Sequence, residues 1–429
     1  MKLTRRSLSF LLAGLTAAPA WAQAPVIQIS GANFRPLPLA LAQPLTSDPA
    51  ARSSAAEFDD ALSFDLTASG IFQMLDRKSF IADPKEGLAT GSINFGRWSN
   101  VGAEALVKTQ LTVDGGNLKG ELRLFGVPSA REEFKLSQSV PMKDARRLAH
   151  IFADGLYQYY TRETGPFQSR VTFVRKSGTS KDVWLSDWDG KNARPVTNGG
   201  INVLPGLVPD GASVAFTSYL RGHPEIFVQR PGGQPTPVVS GVMATGIAYS
   251  PDGRRIAYSM AQGEAAQIFV ANTDGSGARA VTNTPFIINS SPTWSPDGKR
   301  LAFVSNRGGS PQIYVMSAEG GEAKRLTFQG NYNQTPDWSP RGDLIAFTAR
   351  DERNAFDLFT VNVDNGKITR LTQDQGNNEE PVFSPNGRLI LFSSNRKGGS
   401  GLYVMTFEGN NQVQLPADRS QATTPDWGR

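Results

Sequence analysis

Short apolar runs and polar turns alternate at a nearly constant interval over the second half of this 429-residue chain. A Pro-x-Gly turn, usually with Asp or Asn in the middle, has its proline at positions 209, 251, 296, 340 and 385, so successive repeats span 42, 45, 44 and 45 residues. Proline sets the first corner of such a turn, and glycine supplies the positive φ that closes it. A period of this length indicates a β-propeller with one blade per repeat.

Each repeat carries four short β-prone segments. A large apolar or aromatic residue precedes the turn, as at Trp294 and Trp338. A run such as Leu301-Ala302-Phe303 follows the glycine, then a second such as Ile313-Tyr314-Val315, and finally a segment such as Arg325-Leu326-Thr327. Four segments separated by turns predict one four-stranded blade, with the aromatic residues packed between neighbouring blades.

The two ends of the repeat region complete each other. Val171-Thr172-Phe173, Val183-Trp184-Leu185 and Arg194 to Thr197 match the second, third and fourth strands of a blade that lacks its inner strand. Thr424-Pro425-Asp426-Trp427, near the C-terminus, repeats the inner-strand sequence Thr335-Pro336-Asp337-Trp338. The sequence therefore predicts six blades, with the C-terminal strand closing the ring and removing the exposed sheet edges.

The N-terminal third has no such repeat and mixes the two periodicities. Pro36 to Leu41 reads as a strand, and Ala55 to Phe72 and Asp144 to Tyr160 have helical spacing. Ala105 to Val113 and Lys119 to Leu124 alternate as a hairpin around Asp114-Gly115-Gly116. The predicted fold class is α+β / all-β, because one of the two domains mixes helices and strands and the other is all-β. A small N-terminal α/β domain over 35–165 precedes a six-bladed β-propeller over 166–429.

The first 22 residues have the pattern of a secretory signal peptide. A basic start at Lys2, Arg5 and Arg6 precedes the apolar stretch from Leu8 to Ala18 and a small-x-small cleavage site ending at Ala22. The general secretory route is favoured, and a twin-arginine signal stays an alternative. No other segment is long and apolar enough to span a bilayer, so we expect no transmembrane segment in the mature chain.

Composition excludes several kinds of chemistry. The chain has no cysteine, which excludes disulfides and thiolate sites. Its net charge of +5 comes without a basic run, so nucleic acid is not expected as a partner. No Gly-x-Ser-x-Gly elbow, phosphate loop or dinucleotide fingerprint occurs. The two histidines are interpreted as a helix packing residue, His150, and a loop residue, His223. We therefore predict no catalytic residue, no metal site and no cofactor.

The loops that lead into the inner strands gather at one mouth of the central channel. They are rich in amide and hydroxyl groups, and loops on a rigid scaffold commonly form recognition surfaces. The predicted partner-binding residues of this mouth are Thr245, Asn289, Ser290, Asn333, Gln334, Asn378, Glu379 and Gln421.

Residues 23–34 form a second predicted binding segment. Val26, Ile27, Gln28, Ile29 and Ser30 are β-prone and immediately follow the cleavage site. They read either as the first strand of the N-terminal domain or as a strand that is presented to a partner.

A signal peptide, a small α/β domain, blades with Trp294-Ser295-Pro296-Asp297-Gly298 turns and the terminal Thr424-Pro425-Asp426-Trp427 together resemble the TolB family over essentially the whole chain. The resemblance implies a non-enzymatic periplasmic component of the Tol-Pal system. It implies that the propeller mouth binds the peptidoglycan-associated lipoprotein Pal, and that residues 23–34 bind TolA. Other outer-membrane proteins are further candidate partners, and a monomer is expected.

The same resemblance implies a role in outer-membrane invagination during cell division and in envelope integrity. Val208 departs from the serine of the other turns, and residues 241–246 form a small, apolar loop, which puts individual contacts there in question. Two alternatives stay open at this point. One is a hydrolase or lyase of the cell envelope built on a propeller scaffold, and the other is a structural or substrate-binding propeller of another envelope pathway.

Overall fold

A computed structural model describes residues 34–416, except 82 and 84, and residues 421–428. The described part contains an N-terminal α/β domain and a six-bladed β-propeller, as the sequence predicted. None of the described helices combines the length and the apolar character needed to cross a membrane.

The N-terminal domain packs helices on a mixed five-stranded sheet of order β2-β1-β3-β4-β5. Strand β1 pairs in parallel with β2 and β3, and the β3-β4 and β4-β5 pairs are antiparallel. The strands are β1 (Leu37–Leu41), β2 (Phe72–Met74), β3 (Ala105–Asp114), β4 (Asn117–Gly126) and β5 (Arg131–Pro141). The α-helices are α1 (Arg52–Ala68), α2 (Phe95–Asn100) and α3 (Ala145–Thr161), and short 3-10 turns cover Pro49–Ala51, Arg77–Ser79, Thr90–Ser92 and Met142–Asp144.

The predicted elements of this domain are present, with two differences. The predicted helix over 55–72 ends at Ala68, because Gly70 adopts a positive φ of 72° and the chain then enters β2. The edge strand β5 was missed, since most of its side chains are exposed and it lacks the apolar alternation of a half-buried strand. The predicted β3-β4 hairpin is confirmed, with Gly115 and Gly116 both at positive φ between the paired Asp114 and Asn117.

Each blade is a four-stranded antiparallel sheet, and the closing strand belongs to the first blade, where β29 pairs with β6. The first blade contains β6 (Arg170–Ser177), β7 (Ser180–Asp187) and β8 (Arg194–Pro195). The second contains β9 (Asn202–Leu207), β10 (Val214–Ser218), β11 (Glu225–Gln229) and β12 (Thr236–Val239). The third contains β13 (Ala244–Tyr249), β14 (Arg255–Gln262), β15 (Ala265–Asn272) and β16 (Arg279–Ala280).

The remaining blades repeat this order, and the ring closure that the terminal repeat predicted is confirmed. The fourth blade contains β17 (Asn289–Trp294), β18 (Arg300–Ser305), β19 (Gln312–Ser317) and β20 (Lys324–Arg325). The fifth contains β21 (Asn333–Trp338), β22 (Leu344–Arg350), β23 (Phe356–Asn362) and β24 (Ile368–Arg370). The sixth contains β25 (Asn378–Phe383), β26 (Leu389–Ser394), β27 (Gly401–Thr406) and β28 (Val413–Gln414), and β29 (Ala422–Gly428) completes the first.

The aromatic column before each turn packs between blades, as predicted. Trp294 and Trp338 are 5% and 4% exposed, and the indole Nε1 of Trp294 donates to the Ala248 carbonyl of the preceding blade at 3.0 Å. The guanidinium of Arg255 lies 4.8 Å from the Trp294 ring centroid. These contacts join successive blades without a covalent link, so ring stability depends on apolar burial and on closure.

The N-terminal domain covers the turn-bearing end of the propeller at the first, fifth and sixth blades. A continuous apolar core joins α1 and α3 to Trp188 and Trp427, whose rings stack with centroids 5.8 Å apart. Around this core, Glu163 forms ion pairs with Arg341 and Arg388. The domain therefore packs on one end of the ring and leaves the opposite end uncovered.

A buried charged cluster lies inside this interface. The His150 imidazole Nδ1 is 2.7 Å from Asp65 Oδ2, and Trp188 Nε1 donates to Asp65 Oδ1 at 3.0 Å. Arg146 pairs with Asp189. His150 is thus a packing residue, as predicted, and it also belongs to an ionic cluster that the sequence did not indicate. The Asp187-to-Gly190 turn places Trp188 and Asp189, both fully buried, at the centre of this interface.

Candidate partner-binding mouth of the propeller

The six inner strands surround a central channel of about 770 Å³. We define the mouth as the channel end formed by the loops that lead into the inner strands and by the loops between second and third strands. The two kinds of loop contact each other there: Tyr219 N–H donates to the Ile201 carbonyl at 3.0 Å. The mouth faces away from the N-terminal domain.

A residue in the left-handed backbone conformation, with positive φ, occupies the same position in every inner strand. Each sits at a bulge where two or more residues face one residue of the second strand. The six residues and their φ values are Leu204 (50°), Gly246 (62°), Ser291 (53°), Thr335 (48°), Glu380 (59°) and Thr424 (45°). Five of the six carry a side chain in this unfavourable region. The bulges turn these residues toward the channel, and all six line it.

Neighbouring blades hold these bulges in place. The backbone N–H groups of Gly246 and Glu380 donate to the hydroxyls of Thr217 and Thr348 at 3.1 and 2.9 Å. In the gap between the sixth and first blades, Thr424 N–H instead donates to the Glu380 carboxylate at 2.5 Å. The surrounding ring thereby stabilises a strained backbone, a feature that clusters at functional sites.

Three of the predicted mouth residues are buried structural groups. Asn289, Asn333 and Asn378 are 0%, 1% and 0% exposed. Their amide groups donate to Gln267, Gln312 and Asp357 on the third strand of the preceding blade at 3.0, 2.9 and 3.0 Å. Each acceptor also accepts from a threonine hydroxyl just after the fourth strand of its own blade, that of Thr282, Thr327 or Thr372. The repeated asparagine therefore ties the inner strand of each of these blades to the preceding blade, and its side chain has no surface with which to contact a partner.

The remaining predicted residues do reach the channel or the mouth. Thr245 and Ser290 line the channel, and Gln334 is half-buried in the fifth blade. Their side chains form no hydrogen bond with any described residue, so they are available to a ligand. Gln421 is exposed beside the closing strand.

Glu379 lines a second cavity at the mouth, between the sixth and first blades. This cavity is about 400 Å³, and Glu380 and Lys181 also line it. Burial raises the pKa of Glu379, and it raises the pKa of Glu380 to about 7, with a further contribution from the nearby Glu379 charge. The mouth therefore has an acidic sector at the sixth and first blades.

An apolar sector adjoins the acidic sector at the mouth and was missed by the sequence reasoning. Phe286, Phe328 and Leu220 are 79%, 71% and 72% exposed. The full set of large exposed apolar residues at this end, all on the second to fifth blades, is Ile201, Leu204, Tyr219, Leu220, Val242, Met243, Phe286, Ile288 and Phe328. We call this set the apolar arc. Its sequence signal was a large apolar residue inside an otherwise polar loop, such as Phe286 after Pro285.

Deeper in the channel, two carboxyl groups link adjacent inner strands. Asp337 accepts from Phe383 N–H at 2.7 Å, and Asp426 accepts from Leu207 N–H at 2.6 Å. Enclosure by the ring raises the pKa of Asp337 to about 7, and the Asp426 charge adds to this effect. Enclosure also raises the pKa of Asp426. Within the described ranges, no group of three or more His, Asp or Glu residues is arranged to hold a metal ion.

The predicted N-terminal binding segment is not part of the described structure. Val26 to Ser30, the proposed binding segment, lie outside the described residues, and the structure places none of them relative to the mouth.

Comparison with known proteins agrees with this architecture. Residues 157–429 match the family described as "TolB beta propeller domain", and residues 25–132 match the "TolB amino-terminal domain". The Tol-Pal system protein TolB of Myxococcus xanthus strain DK1622 is 65% identical over 421 residues, covering 98% of this chain and 97% of that protein. That of Anaeromyxobacter dehalogenans strain 2CP-C is 45% identical over 431 residues, covering 99% of both chains.

Among solved structures, the crystal structure of TolB from Acinetobacter baumannii matches with a TM-score of 0.78 and 22% identity, covering 95% of this chain and 98% of that one. This likeness supports the fold. The family matches and the two bacterial relatives together show more: this chain belongs to the TolB family and is a propeller component of the Tol-Pal system.

Proposed function

We propose that the protein is a non-enzymatic periplasmic binding component that engages the lipoprotein Pal at the propeller mouth. The observation that carries the proposal is the apolar arc, because a soluble protein rarely leaves so many large apolar side chains exposed at one end without a partner. Aromatic residues, phenylalanine among them, are enriched in the cores of protein interfaces. Through this contact the protein would support outer-membrane invagination during cell division and envelope integrity.

The acidic sector completes the proposed interface. Glu379 and Glu380 stand next to the apolar arc around the same opening. Apolar anchors give a partner affinity, and charges at the rim select its orientation. Thr245, Ser290, Gln334 and Gln421 would supply polar contacts between the two sectors, whereas Asn289, Asn333 and Asn378 would contribute only by supporting the loops.

The described residues assemble no catalytic site that would support the alternative of a hydrolase or lyase. His150 is in the domain interface and His223 is in a mouth loop, so the two histidines lie at opposite ends of the propeller. His223 is paired with Glu225 at 3.3 Å, and no serine nucleophile stands beside either ring among the described hydrogen bonds. A binding role therefore accounts for more of the observed geometry.

The mouth assignment can be tested by calorimetric titration with the soluble domain of the cognate Pal. We expect Phe286→Ser and Phe328→Ser each to weaken binding by at least about tenfold, as truncation of an interface anchor does. Ile81→Ser is the matched control, because Ile81 is 66% exposed on the N-terminal domain, away from the mouth. Equal affinity for all three variants and the unaltered protein would place the interface elsewhere.

We further propose that residues 23–34, with Val26 to Ser30 at their centre, bind TolA as an added strand. Deleting 23–34 should abolish TolA binding. If the segment also regulates the mouth, the same deletion should change the affinity for Pal, and an unchanged Pal affinity would leave it as a separate docking peptide.

A further inference from the structure

A cleft with a strongly basic lining lies between the N-terminal domain and the first blade, on the side of the propeller away from the mouth. Its volume is about 820 Å³, and it is lined by the start of α3, by the segment that leads into β6, and by the turn between β7 and β8. The proposed contacts with Pal and TolA use none of these residues. The basic residues of the lining are Lys143, Arg146, Arg147, Arg170 and Arg194.

Positive charge in this cleft exceeds the negative charge that faces it. Asp144 and Asp187 are its acidic lining residues, against five basic ones. Asp187 already accepts a hydrogen bond from the Asn192 amide at 2.7 Å. Lys143, Arg147 and Arg194 form no ion pair with any residue that the structure describes. The cleft therefore contains positively charged side chains that no described residue of the protein neutralises.

The orientation of α3 adds to this field. The 17-residue helix begins at Ala145, so its positive dipole end opens into the cleft. Asp144, at the capping position, makes no side-chain hydrogen bond to the first turn. Anions are stabilised at such a helix end when backbone and side-chain donors converge on it.

The inner wall of the cleft contains two buried donors with unmet hydrogen-bonding capacity. The side chains of Arg146 and His150 are 7% and 4% exposed. Arg146 Nε and His150 Nε2 have no hydrogen-bond partner in the described part of the chain, and His150 Nε2 is 3.9 Å from the closest Asp189 oxygen. Buried polar groups are normally hydrogen-bonded, so these two groups are available to an acceptor on a ligand.

The protonation state of His150 strengthens the point. Burial opposes the charged imidazole, but the charge and hydrogen bond of Asp65 more than offset it and raise the pKa to about 9. At neutral pH both ring nitrogens then carry hydrogen, and Nε2 is a donor 3.9 Å from Asp189, the carboxylate that pairs with Arg146.

From this geometry we propose that the interdomain cleft is a binding site for an oxyanion, a phosphate or a carboxylate group of an envelope ligand, held by Arg147 and Arg194 at the rim and by Arg146 at the inner wall. The chain's own residues 23–33 contain no Asp or Glu, so they do not supply this group. The site is separate from the mouth, and its ligand would contact both domains at once.

Calorimetric titration of the mature protein, in a buffer free of other oxyanions, tests the proposal with two probes. These are inorganic phosphate and an N-acetylated tri-glutamate peptide. We expect saturable binding of at least one probe. Arg147→Glu and Arg194→Glu should each weaken it by at least about tenfold, because each variant replaces an unpaired cation with a repelling charge.

Arg254→Glu is the matched control, since Arg254 is an exposed arginine of the third blade that has no ion pair within the described residues. Binding of phosphate alone would assign the site to phosphate groups, and binding of the peptide alone would assign it to carboxylates. Absence of saturable binding by both probes would overturn the proposal. So would equal binding by the rim variants and the unaltered protein, or an equal loss in Arg254→Glu. Pal binding, measured on the same variants, should be unchanged.

Discussion

The two ends of the propeller are built from the same repeat, but one is covered by the N-terminal domain and the other is exposed. At the turn-bearing end, Trp188 and Trp427 are buried in an apolar core shared with the N-terminal domain, and Asp65, His150 and Asp189 are enclosed with them. At the mouth, Phe286 and Phe328 remain more than two-thirds exposed. One end thus already has its partner within the chain, whereas the other has a surface that a partner could cover.

This difference separates residues that stabilise the protein from residues available for binding. Side chains of the covered end act through burial and ion pairing, so their substitution should change the free energy of unfolding. The exposed side chains of the apolar arc pack little within the chain, so their substitution should change partner affinity more than stability. Four substitutions, taken from the largest expected effect on stability to the smallest, would test this separation.

Trp188→Ala should give the largest loss. It removes a fully buried indole that stacks on Trp427 and donates to the buried Asp65 carboxylate. We expect the free energy of unfolding to fall by at least about 3–5 kcal/mol, as measured by urea denaturation. Trp338→Ala, inside the ring, should cost a similar amount without loosening the domain interface. A loss below about 1 kcal/mol for Trp188→Ala would show that the interface contributes little.

The buried His150 should make stability depend on pH. Its pKa is about 9 in the folded protein and 6.5 as the ordinary value, so folding favours the protonated ring. Its contribution is complete below about pH 6.5 and is lost as pH rises through about 9. The free energy of unfolding should therefore fall by at most about 3 kcal/mol as pH rises over that window. We expect His150→Gln to abolish this fall. His223→Gln, at the exposed mouth histidine, is the control and should retain the decline.

Gly246→Ala should have an intermediate effect. Gly246 is the one glycine among the six left-handed bulge residues, and a Cβ there would meet only Leu204 Cδ1, at 3.9 Å. Because space is available, the cost is that of the backbone conformation, about 1 kcal/mol. Thermal unfolding would measure it. A loss several times larger would mean that the bulge at this blade has a packing role that the other five do not share.

Phe286→Ser should have the smallest effect on stability. Its ring is 79% exposed, so we expect a change within about 0.5 kcal/mol in the free energy of unfolding. The same variant is expected to weaken Pal binding, and the pair of measurements separates the two roles. A large loss of stability would mean that Phe286 packs within the protein in solution, and the apolar arc would lose its main member.

Much of the fold followed from local repetition. The Pro-x-Gly period and the incomplete repeats at the two ends predicted six blades and their closure, and β29 pairs with β6 as expected. The same regularity drew three buried asparagines into the predicted mouth residues. Asn289, Asn333 and Asn378 recur because each supplies an amide donor at a junction between successive blades, and repetition alone does not distinguish a structural requirement from a binding surface.

The linear chain carried the information that depends on near neighbours: the period of the strands, the chemistry of the turns, the number of blades and the family. The tertiary structure decided what depends on distant residues. Asp65 and His150 are 85 positions apart, and Asp65 and Trp188 are 123 apart, yet they form one buried cluster. Which loop side chains are buried or exposed also depends on how six blades converge around one axis. Burial is a property of the assembled ring, so the apolar arc and the basic cleft emerge only when the chain is folded.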